Sequence, residues 1–247
     1  MNISTILLII VIIVLLYILV RYISTDVNTL SGLSSGTAMT TIASSSLAQS
    51  ASGNNSGNFA YSIWFYVNDW NYRYGEPKVI FGRMGDPTGT DKKPCPTVTL
   101  GAISNNLDIA LTVYPGLDSV SNTTGDSSSA IHNCAVPNVP IQKWVNLLIS
   151  VYGRSLDVYL DGKLVRTCVL PGTANITNDS NVYVTPNGGF SGWTAKFQYY
   201  PNSIDPQTAF NIYQQGYGAS MLSNIFGKYQ VKISLVENGA ENSSLTI

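Results

Sequence analysis

Apolar residues alternate with other residues in the centre of the chain, between Trp144 and Leu170. From Val145 to Val151 every second residue is Val, Leu or Ile, which is the period of a β-strand with one buried face. Gly153 lies in a first turn, and the dipeptide Asp161-Gly162 tolerates the positive φ angles that a two-residue type I′ hairpin requires. The segment is therefore predicted to form three consecutive antiparallel strands.

The length of the second of these turns sets the register of its hairpin. With two loop residues, Tyr159 faces Leu164. Asp157 then faces Arg166, which would be an opposite-charge pair worth under about 1 kcal/mol when exposed. A three-residue loop with a bulge at Gly162 is the alternative, and it would shift the pairing.

Further strands are predicted on both sides of this centre. Phe59 to Val67 places every second residue on one face, and Trp64 and Tyr66 on the opposite face indicate that both faces are covered, as in a sandwich. The other predicted strands are residues 79–81, 97–103, 107–113, 182–184, 193–200 and 228–236.

One short helix is predicted late in the chain. Asp205 suits its N-cap, Pro206 its first turn and Gly216 its end. Many short strands with one late helix predict an all-β fold, a two-sheet antiparallel jelly-roll sandwich. The predicted buried face of the helix consists of Ala209, Ile212 and Tyr213.

An unbroken apolar run extends from Ile6 to Val20. With its flanking residues it reaches ~31 Å as a helix, enough for a hydrocarbon core of ~30 Å, and Arg21 can extend its charge to the interface. A cleaved signal peptide is the alternative, but no Lys or Arg precedes the run and residues 24–26 are a poor cleavage site. Residues 1–23 are therefore predicted to be a retained transmembrane anchor, and Arg21 alone leaves its orientation open.

The residues after this run have a different composition. Residues 24–58 are rich in Ser, Thr, Gly, Ala and Asn and have no apolar period, which is typical of a flexible tether. Residues 59–247 then form the predicted β-sandwich domain.

The charge of the chain excludes one class of partner. Of the 247 residues 11% are charged, against roughly 25% in ordinary soluble domains, and the net charge is -1. No basic field for nucleic acid results from this balance. The polar surface must consist of Ser, Thr, Asn and Gln, which suits a protein packed against neighbours or coated with glycan.

Three sequence segments resemble a known family. They are NDWNYRYGEPKVIFGR (Asn68 to Arg83), IQKWVNLLISVYGR (Ile141 to Arg154) and DPQTAFNIYQQGYG (Asp205 to Gly218). In this order, over about residues 59–218, they resemble the laminin G-like branch of the concanavalin A-like lectin/glucanase superfamily. They are more specifically similar to a protein group of large nucleocytoplasmic DNA viruses, which joins an N-terminal transmembrane segment to such a domain.

The resemblance implies a concanavalin A-like sandwich in a non-enzymatic, membrane-anchored virion protein. The expected role is a minor capsid protein that links the capsid shell to the internal viral membrane, and its expected partners are capsid proteins and that membrane. A long tether and a sandwich without catalytic carboxylates agree with this role. A lectin-like surface protein that binds carbohydrate for attachment is the first alternative, and a degenerate glycosidase is the second.

Carboxylates decide whether an enzyme is expected. Glucanases of the superfamily carry an E-x-D-x-E strand that supplies a nucleophile and an acid/base residue. This chain has only Glu76, Glu237 and Glu241, in three separate segments. Asp157 and Asp161 lie four residues apart, but a cross-strand ion pair and a turn residue explain them better. No catalytic residue is predicted.

No metal or cofactor is predicted either. Laminin G-like domains often bind calcium, but the loop carboxylates of this chain match no calcium-loop spacing. His132, beside Cys134, is interpreted as a solvated loop histidine. The loop carboxylates concerned are Asp86, Asp91, Asp118 and Asp126.

An aromatic loop offers a candidate contact for a glycan or a partner protein. Trp70, Tyr72 and Tyr74 can stack on sugar rings, as lectin sites do. Packing of the same loop on the edge of the sandwich or on a neighbouring protein is the simpler interpretation.

The three cysteines show no zinc spacing. Large DNA viruses are expected to oxidise their own virion proteins, which would permit one disulfide. Cys95 and Cys134 are the predicted pair, because both are assigned to loops beside prolines. Cys168, on a predicted strand, is expected to be a buried thiol.

Overall fold

The computed structural model describes residues 11–17, 28–47, 57–85, 93–114, 130–177, 179–218, 232–237 and 240–246. It contains two compact units. One is Asn28–Tyr217, and the other takes residues from both ends of the chain, Met1–Val27 and Gly218–Ile247.

In the unit Asn28–Tyr217 the described residues form thirteen strands. In chain order they are β1 (Thr29–Ser31), β2 (Ser34–Ser35), β3 (Thr40–Ile42), β4 (Phe59–Asp69), β5 (Lys78–Arg83), β6 (Thr97–Leu100), β7 (Leu107–Val113), β8 (Ala130–Val136), β9 (Trp144–Tyr152), β10 (Ser155–Leu160), β11 (Lys163–Val169), β12 (Val182–Val184) and β13 (Ser191–Tyr200). A 3-10 turn, Ser44–Ser46, follows β3.

These strands form two antiparallel sheets, as the sequence predicts. The first sheet has the order β1-β13-β4-β9-β10-β11, with β2 also paired to β13. The second sheet has the order β3-β12-β5-β6-β7-β8. The predicted all-β sandwich with one short helix in this unit is confirmed.

The core lies between the two sheets. The alternating residues of β4 and β9, from Phe59 to Val67 and from Val145 to Val151, are each at most 2% exposed. They pack in one cluster with the inward side chains of the second sheet, such as Val98 and Ile109. Complete burial of a single side chain of this size contributes roughly 1.5–3 kcal/mol of stability. The alternate residues of β4 and β9 therefore stabilise the packing of one sheet on the other.

The predicted helix forms with the predicted cap. Helix α2 spans Pro206–Gln214, and Asp205 accepts hydrogen bonds from the Thr208 N–H at 3.0 Å and the Thr208 hydroxyl at 2.6 Å. Gly216 follows with a φ of 71°. Ala209 and Ile212 are buried against the outer face of the first sheet, on Leu148 and Tyr159.

The hairpin β10–β11 keeps its predicted loop but not its predicted charge pair. Asp161 and Gly162 have φ angles of 49° and 72°, and Tyr159 pairs with Leu164 as predicted. The register then shifts between Val158 and Tyr159, so that Val158 faces Arg166 and Asp157 faces Thr167. The predicted pairing of Asp157 with Arg166 is therefore wrong, because an irregularity in the strands follows the tight turn.

The tether prediction is wrong for residues 28–47. β1 and β2 pair with β13, and β3 pairs with β12. These strands are short, polar and at or beside sheet edges, so they need few apolar residues. Ile42 and Leu47 supply them, at 6% and 7% exposure. The sandwich thus begins at about residue 28, not at residue 59.

Two more differences from the sequence prediction concern β8, which was not predicted, and the last predicted strand. β8 forms the edge of the second sheet, beside β7. The strand predicted at residues 228–236 appears as β14 (Lys232–Glu237), which pairs with β15 (Ala240–Thr246) in a two-stranded sheet of the other unit and not with the sandwich. The domain prediction 59–247 therefore needs correction at both ends.

The other unit also includes helix α1, residues 11–17, whose side chains are exposed. The remainder of the predicted anchor lies outside the described residues. Within the part of the chain that the structure describes, no helix is long and apolar enough to cross a membrane.

Candidate functional site

A row of aromatic rings crosses three neighbouring strands on the outer face of the first sheet. Trp193 of β13 pairs with Tyr66 of β4, and Tyr66 pairs with Trp144 of β9. The ring centroids are 5.7 Å apart for Trp193 and Tyr66, and 5.8 Å apart for Tyr66 and Trp144. The antiparallel register thus brings together three residues that are far apart in the sequence.

A glycine permits this close approach of β13 to β4. Gly192 has a φ of 152°, and a Cβ atom at that position would lie 1.8 Å from the Tyr66 carbonyl oxygen. No other residue type can occupy the position without moving the strands. Gly192 therefore places Trp193 beside Tyr66.

A fourth ring joins the row from the end of helix α2. Tyr217 stacks on Trp144 with centroids 4.5 Å apart and an interplanar angle of 18°. Its edge also meets Trp64, which is itself buried beneath Tyr213. We call the rings of Tyr66, Trp144, Trp193 and Tyr217 the aromatic surface.

The aromatic surface is only partly covered by the described residues. Trp193 remains 44% exposed and Tyr217 45% exposed. Trp64, one row further along the sheet, is 6% exposed. Two large rings thus stay partly open although Trp193 contacts Tyr66 at a tilted angle and Tyr217 stacks on Trp144.

The border of the aromatic surface is polar and nearly neutral. Ser35 pairs with Trp193 across the edge of the sheet, and Asn68 is exposed at the end of β4. Lys143 donates to Asp161 at 3.0 Å, and Lys196 donates to the Gln215 side-chain oxygen at 2.9 Å.

The predicted aromatic loop lies elsewhere, before β5. The Trp70 indole N–H donates to the Ile103 carbonyl at 3.1 Å, and the Tyr72 hydroxyl donates to the Gly188 carbonyl at 3.0 Å. Both rings are half-buried, whereas Tyr74 is 58% exposed. Trp70 and Tyr72 thus contribute to the fold, and the glycan contact predicted for Trp70, Tyr72 and Tyr74 stays a prediction.

A buried amine lies under this loop. The Lys78 ammonium is 4.7 Å from the centroid of the Trp70 ring, and Lys78 is 1% exposed. Its Nζ atom has no hydrogen-bond partner among the residues that the structure describes. Burial lowers the pKa of Lys78, the positive charge of Arg73 lowers it further, and Glu76 acts in the opposite direction.

A shallow groove of about 390 Å³ lies on the first sheet beside the N-terminus of α2. Its two carboxylates already accept hydrogen bonds, Asp157 from the Thr167 hydroxyl at 2.7 Å and Asp205 from Thr208. The bonds from Thr208 lower the pKa of Asp205. Burial, followed by the charges of Asp157 and Asp205, raises the pKa of Tyr159 on the floor of the groove. Both carboxylates of the groove thus accept hydrogen bonds from threonines.

The predicted disulfide is corrected. Cys134 of β8 and Cys168 of β11 are bonded, with their Cα atoms 6.1 Å apart, and Cys95 is the free, buried thiol. Burial raises the pKa of the Cys95 thiol to about 12. The prediction paired Cys95 with Cys134 because Cys134 was assigned to a loop. It lies on an edge strand opposite the edge of the other sheet.

His132 also lies on β8, paired with Leu111, and not in a loop as predicted. The described residues include no group of three or more His, Cys, Asp or Glu side chains that would hold a metal. The four loop aspartates considered for calcium, Asp86, Asp91, Asp118 and Asp126, all lie outside the described residues.

The sequence matches no protein-family model and no curated protein. Solved structures do match the fold. One is a mutant of HCR/D, with 12% identity and a TM-score of 0.50 over 74% of this chain and 41% of that chain. Another is the receptor-binding domain of botulinum neurotoxin D, with 11% identity and a TM-score of 0.47 over 64% of this chain and 37% of that chain.

The chain therefore spans less than half the length of these structures. At this identity the likeness to the first shows a shared β-sandwich fold and nothing more. The comparison with solved structures thus assigns a fold to this protein.

Proposed function

We propose that this chain is a non-enzymatic, membrane-anchored structural protein of a large DNA virus. In this proposal it is a minor capsid protein that links the capsid shell to the internal viral membrane. The observation that carries it is the apolar run from Ile6 to Val20 on the same chain as a sandwich that presents an exposed aromatic surface. Such a chain suits attachment at one end and contact with a partner at the other.

The sandwich itself must make the contact with the shell. Residues 28–47 belong to the sheets, so the connection that remains after the predicted anchor is residues 24–27. Four extended residues reach at most ~14 Å. The proposal therefore no longer rests on a long tether, and it requires capsid proteins to bind the surface of the sandwich.

The state of the carboxylates supports a non-enzymatic role. Asp157 and Asp205 bind threonines, and Asp161 accepts from the Asn146 N–H at 3.0 Å and from Lys143. A glycosidase needs one carboxylic acid with a raised pKa beside a second carboxylate, whereas the pKa of Asp205 is lowered. We therefore do not propose the degenerate glycosidase.

Cross-linking mass spectrometry on purified virus particles tests the capsid role. An amine-reactive reagent should link Lys143 and Lys163, which are exposed on the sandwich, to capsid proteins. Particles opened with detergent before cross-linking serve as the control for a contact that depends on the membrane. Absence of the chain from the particles, or cross-links confined to the chain itself, would contradict the proposal.

A further inference from the structure

We propose that the aromatic surface lies among the lipid headgroups of the membrane that holds the predicted anchor. The occupant is a lipid surface, and it contacts the exposed rings of Trp193 and Tyr217 and the side chain of Leu33. The inference rests on the proposed membrane anchor, and it adds which face of the sandwich is turned towards the membrane. In this arrangement the capsid proteins bind other parts of the sandwich surface.

The point at which the chain enters the sandwich is the first argument. The Asn28 carbonyl accepts from the Tyr199 N–H at 3.1 Å, and Tyr199 belongs to β13, the strand that carries Trp193. Strand β1 then follows at the edge of the sheet, beside β13. Residues 24–27 reach at most ~14 Å, so an anchor that ends at residue 23 holds this edge close to the bilayer. A short covalent connection also gives lipid a high effective concentration at this edge, which a free ligand does not have.

The spread of the exposed rings is the second argument. Trp193 and Tyr217, 44% and 45% exposed, lie at opposite ends of the row, with Tyr66 and Trp144 between them. Successive ring centroids along the row are 5.7, 5.8 and 4.5 Å apart. A small ligand binds in a concave pocket, where its contacts lie close together. A broad, flat partner contacts both ends of the row at once, and a bilayer surface is such a partner.

The chemistry of the exposed groups is the third argument. Leu33 is 71% exposed and lies two residues before Ser35, which pairs with Trp193 across the edge of the sheet. An aliphatic side chain offers no aromatic face to a sugar ring, but it can enter the boundary between headgroups and acyl chains. Trp and Tyr join a large apolar ring to one polar N–H or O–H group, and they are therefore enriched at membrane interfaces. A lipid surface is thus the partner that accepts all three exposed side chains.

The border of the aromatic surface is compatible with headgroups. Ser35 and Asn68 supply a hydroxyl and an amide, which can donate hydrogen bonds to phosphate and ester oxygens. The Lys143 ammonium is bonded to Asp161 at 3.0 Å, so this pair adds little net charge. The contact is therefore made through the rings and not through a cluster of cations, and it should depend little on the fraction of anionic lipid.

Quenching of tryptophan fluorescence by brominated lipid tests the proposal. The full-length chain is reconstituted in vesicles of phosphatidylcholine whose bromine atoms lie either near the headgroups or near the centre of the bilayer. The tryptophans of the chain are Trp64, Trp70, Trp144 and Trp193. We expect bromine near the headgroups to quench part of their emission, and bromine near the centre to quench less of it.

Two tryptophan substitutions locate the quenched emission. Trp193→Phe keeps a ring for the contact but removes an emitter at the membrane, so the quenched fraction of the emission should fall. Trp70→Phe is the matched control, because the Trp70 indole N–H bonds to the Ile103 carbonyl in the β6–β7 connection of the second sheet. This substitution removes an emitter away from the membrane, so the quenched fraction should rise.

Two further substitutions test the contact at each end of the row. Leu33→Gln and Tyr217→Ser should each lower the quenched fraction, because they place a polar group where the surface meets lipid. Ile103→Gln is the matched control for Leu33→Gln, since Ile103 is 66% exposed in the second sheet's β6–β7 connection. It should leave the quenching as it is in the unaltered protein.

Extraction with alkaline carbonate separates this inference from the anchor on which it rests. A chain that stays in the vesicles, but is not quenched by bromine near the headgroups, would overturn the contact and leave the anchor intact. A chain that is extracted, but is quenched before extraction, would support the contact and contradict the anchor. A chain that neither binds vesicles nor is quenched would overturn both. Equal changes in Trp193→Phe and Trp70→Phe, or in Leu33→Gln and Ile103→Gln, would also overturn the contact and assign the surface to a carbohydrate or protein partner instead.

Discussion

At the scale of single residues, Lys78 is an unfavourable group in the sandwich. Its ammonium is buried without a hydrogen-bond partner among the described residues, and the face of Trp70 and the charge of Glu76 compensate it only in part. A buried charge without a partner costs more than an apolar side chain of similar length. We predict that Lys78→Met raises the free energy of unfolding by about 1 kcal/mol, measured by chemical unfolding. A loss of stability would mean that the contact with Trp70 outweighs the burial.

The pH dependence of this difference follows from the lowered pKa of Lys78. The folded state releases the Lys78 proton at a lower pH than the unfolded state, whose pKa is near 10.5. Stability of the unaltered protein therefore gains from Lys78 as the pH rises through this interval. The advantage of Lys78→Met should be largest below the lowered pKa and should shrink towards pH 10.5. The raised pKa values of Tyr61 and Cys95 act equally in both proteins and cancel in the difference.

Single residues also explain why the sequence prediction did not include the aromatic surface. Trp70, Tyr72 and Tyr74 are adjacent in the sequence, so composition alone draws attention to them. The aromatic surface combines Tyr66, Trp144, Trp193 and Tyr217, and only the pairing of three strands shows that they meet. The outward position of Trp64 and Tyr66 was the available signal, because it predicted that the outer face of β4 is covered.

At the scale of elements, the turn of the β10–β11 hairpin packs against helix α2. Gly162 has a positive φ of 72°, and a Cβ atom there would lie 3.1 Å from the Phe210 Cα and 3.0 Å from the Tyr213 Cβ. Gly153, in the preceding turn, has a φ of 55° and no neighbour within 4 Å of such an atom. Both glycines thus have a backbone conformation that favours glycine, but only at Gly162 would an added Cβ atom press against helix α2.

This pair allows a controlled prediction. Gly153→Ala should cost about 1 kcal/mol of unfolding free energy, from the left-handed backbone alone. Gly162→Ala should cost roughly 2–3 kcal/mol, because it also displaces α2 from the sheet. Chemical unfolding of both variants measures the difference. Equal losses would show that α2 does not rest on the turn.

Elements with a strong apolar period were predictable, and edge elements were not. β4 and β9 bury alternate residues on the inner face, so the period identifies them without a partner. β8 buries only Cys134 and Val136, and β1 buries none of its residues. An edge strand needs backbone hydrogen bonds to one neighbour but little apolar surface, so hydrophobic patterning carries too little information to find it.

At the scale of the whole molecule, one disulfide joins the two sheets. Cys134 lies on β8 at the edge of the second sheet, and Cys168 lies on β11 at the edge of the first. The cysteines are 34 residues apart in the sequence. Closing a loop of this length in the unfolded chain corresponds to about 3–4 kcal/mol in the chain-entropy treatment. The pairing was not predictable, because it depends on which two edges meet.

We predict that Cys134→Ala loses about 3–4 kcal/mol of unfolding free energy. The double variant Cys134→Ala/Cys168→Ala should lose little more, since the first substitution already breaks the bond. Thiol counting provides an independent check. The native protein should show no reactive thiol, because Cys95 is buried and its pKa is raised to about 12. Unfolding without reductant should expose one thiol, and peptide mapping that links Cys95 to either other cysteine would refute the assignment.

The last prediction concerns the N-terminus of the mature protein. We predict that residues 1–23 are retained as a membrane anchor, because the apolar run from Ile6 to Val20 has no basic residue before it and no good cleavage site after it. Removal by a signal peptidase would also endanger the sandwich, since the Asn28 carbonyl accepts from the Tyr199 N–H at 3.1 Å and β1 begins at Thr29. Intact-mass measurement on the protein from its native source should give a chain with its first residues present. Extraction with alkaline carbonate should leave that chain in the membrane fraction. A measured mass that corresponds to a chain beginning between residues 24 and 30 would contradict both the anchor and the proposed link to a membrane.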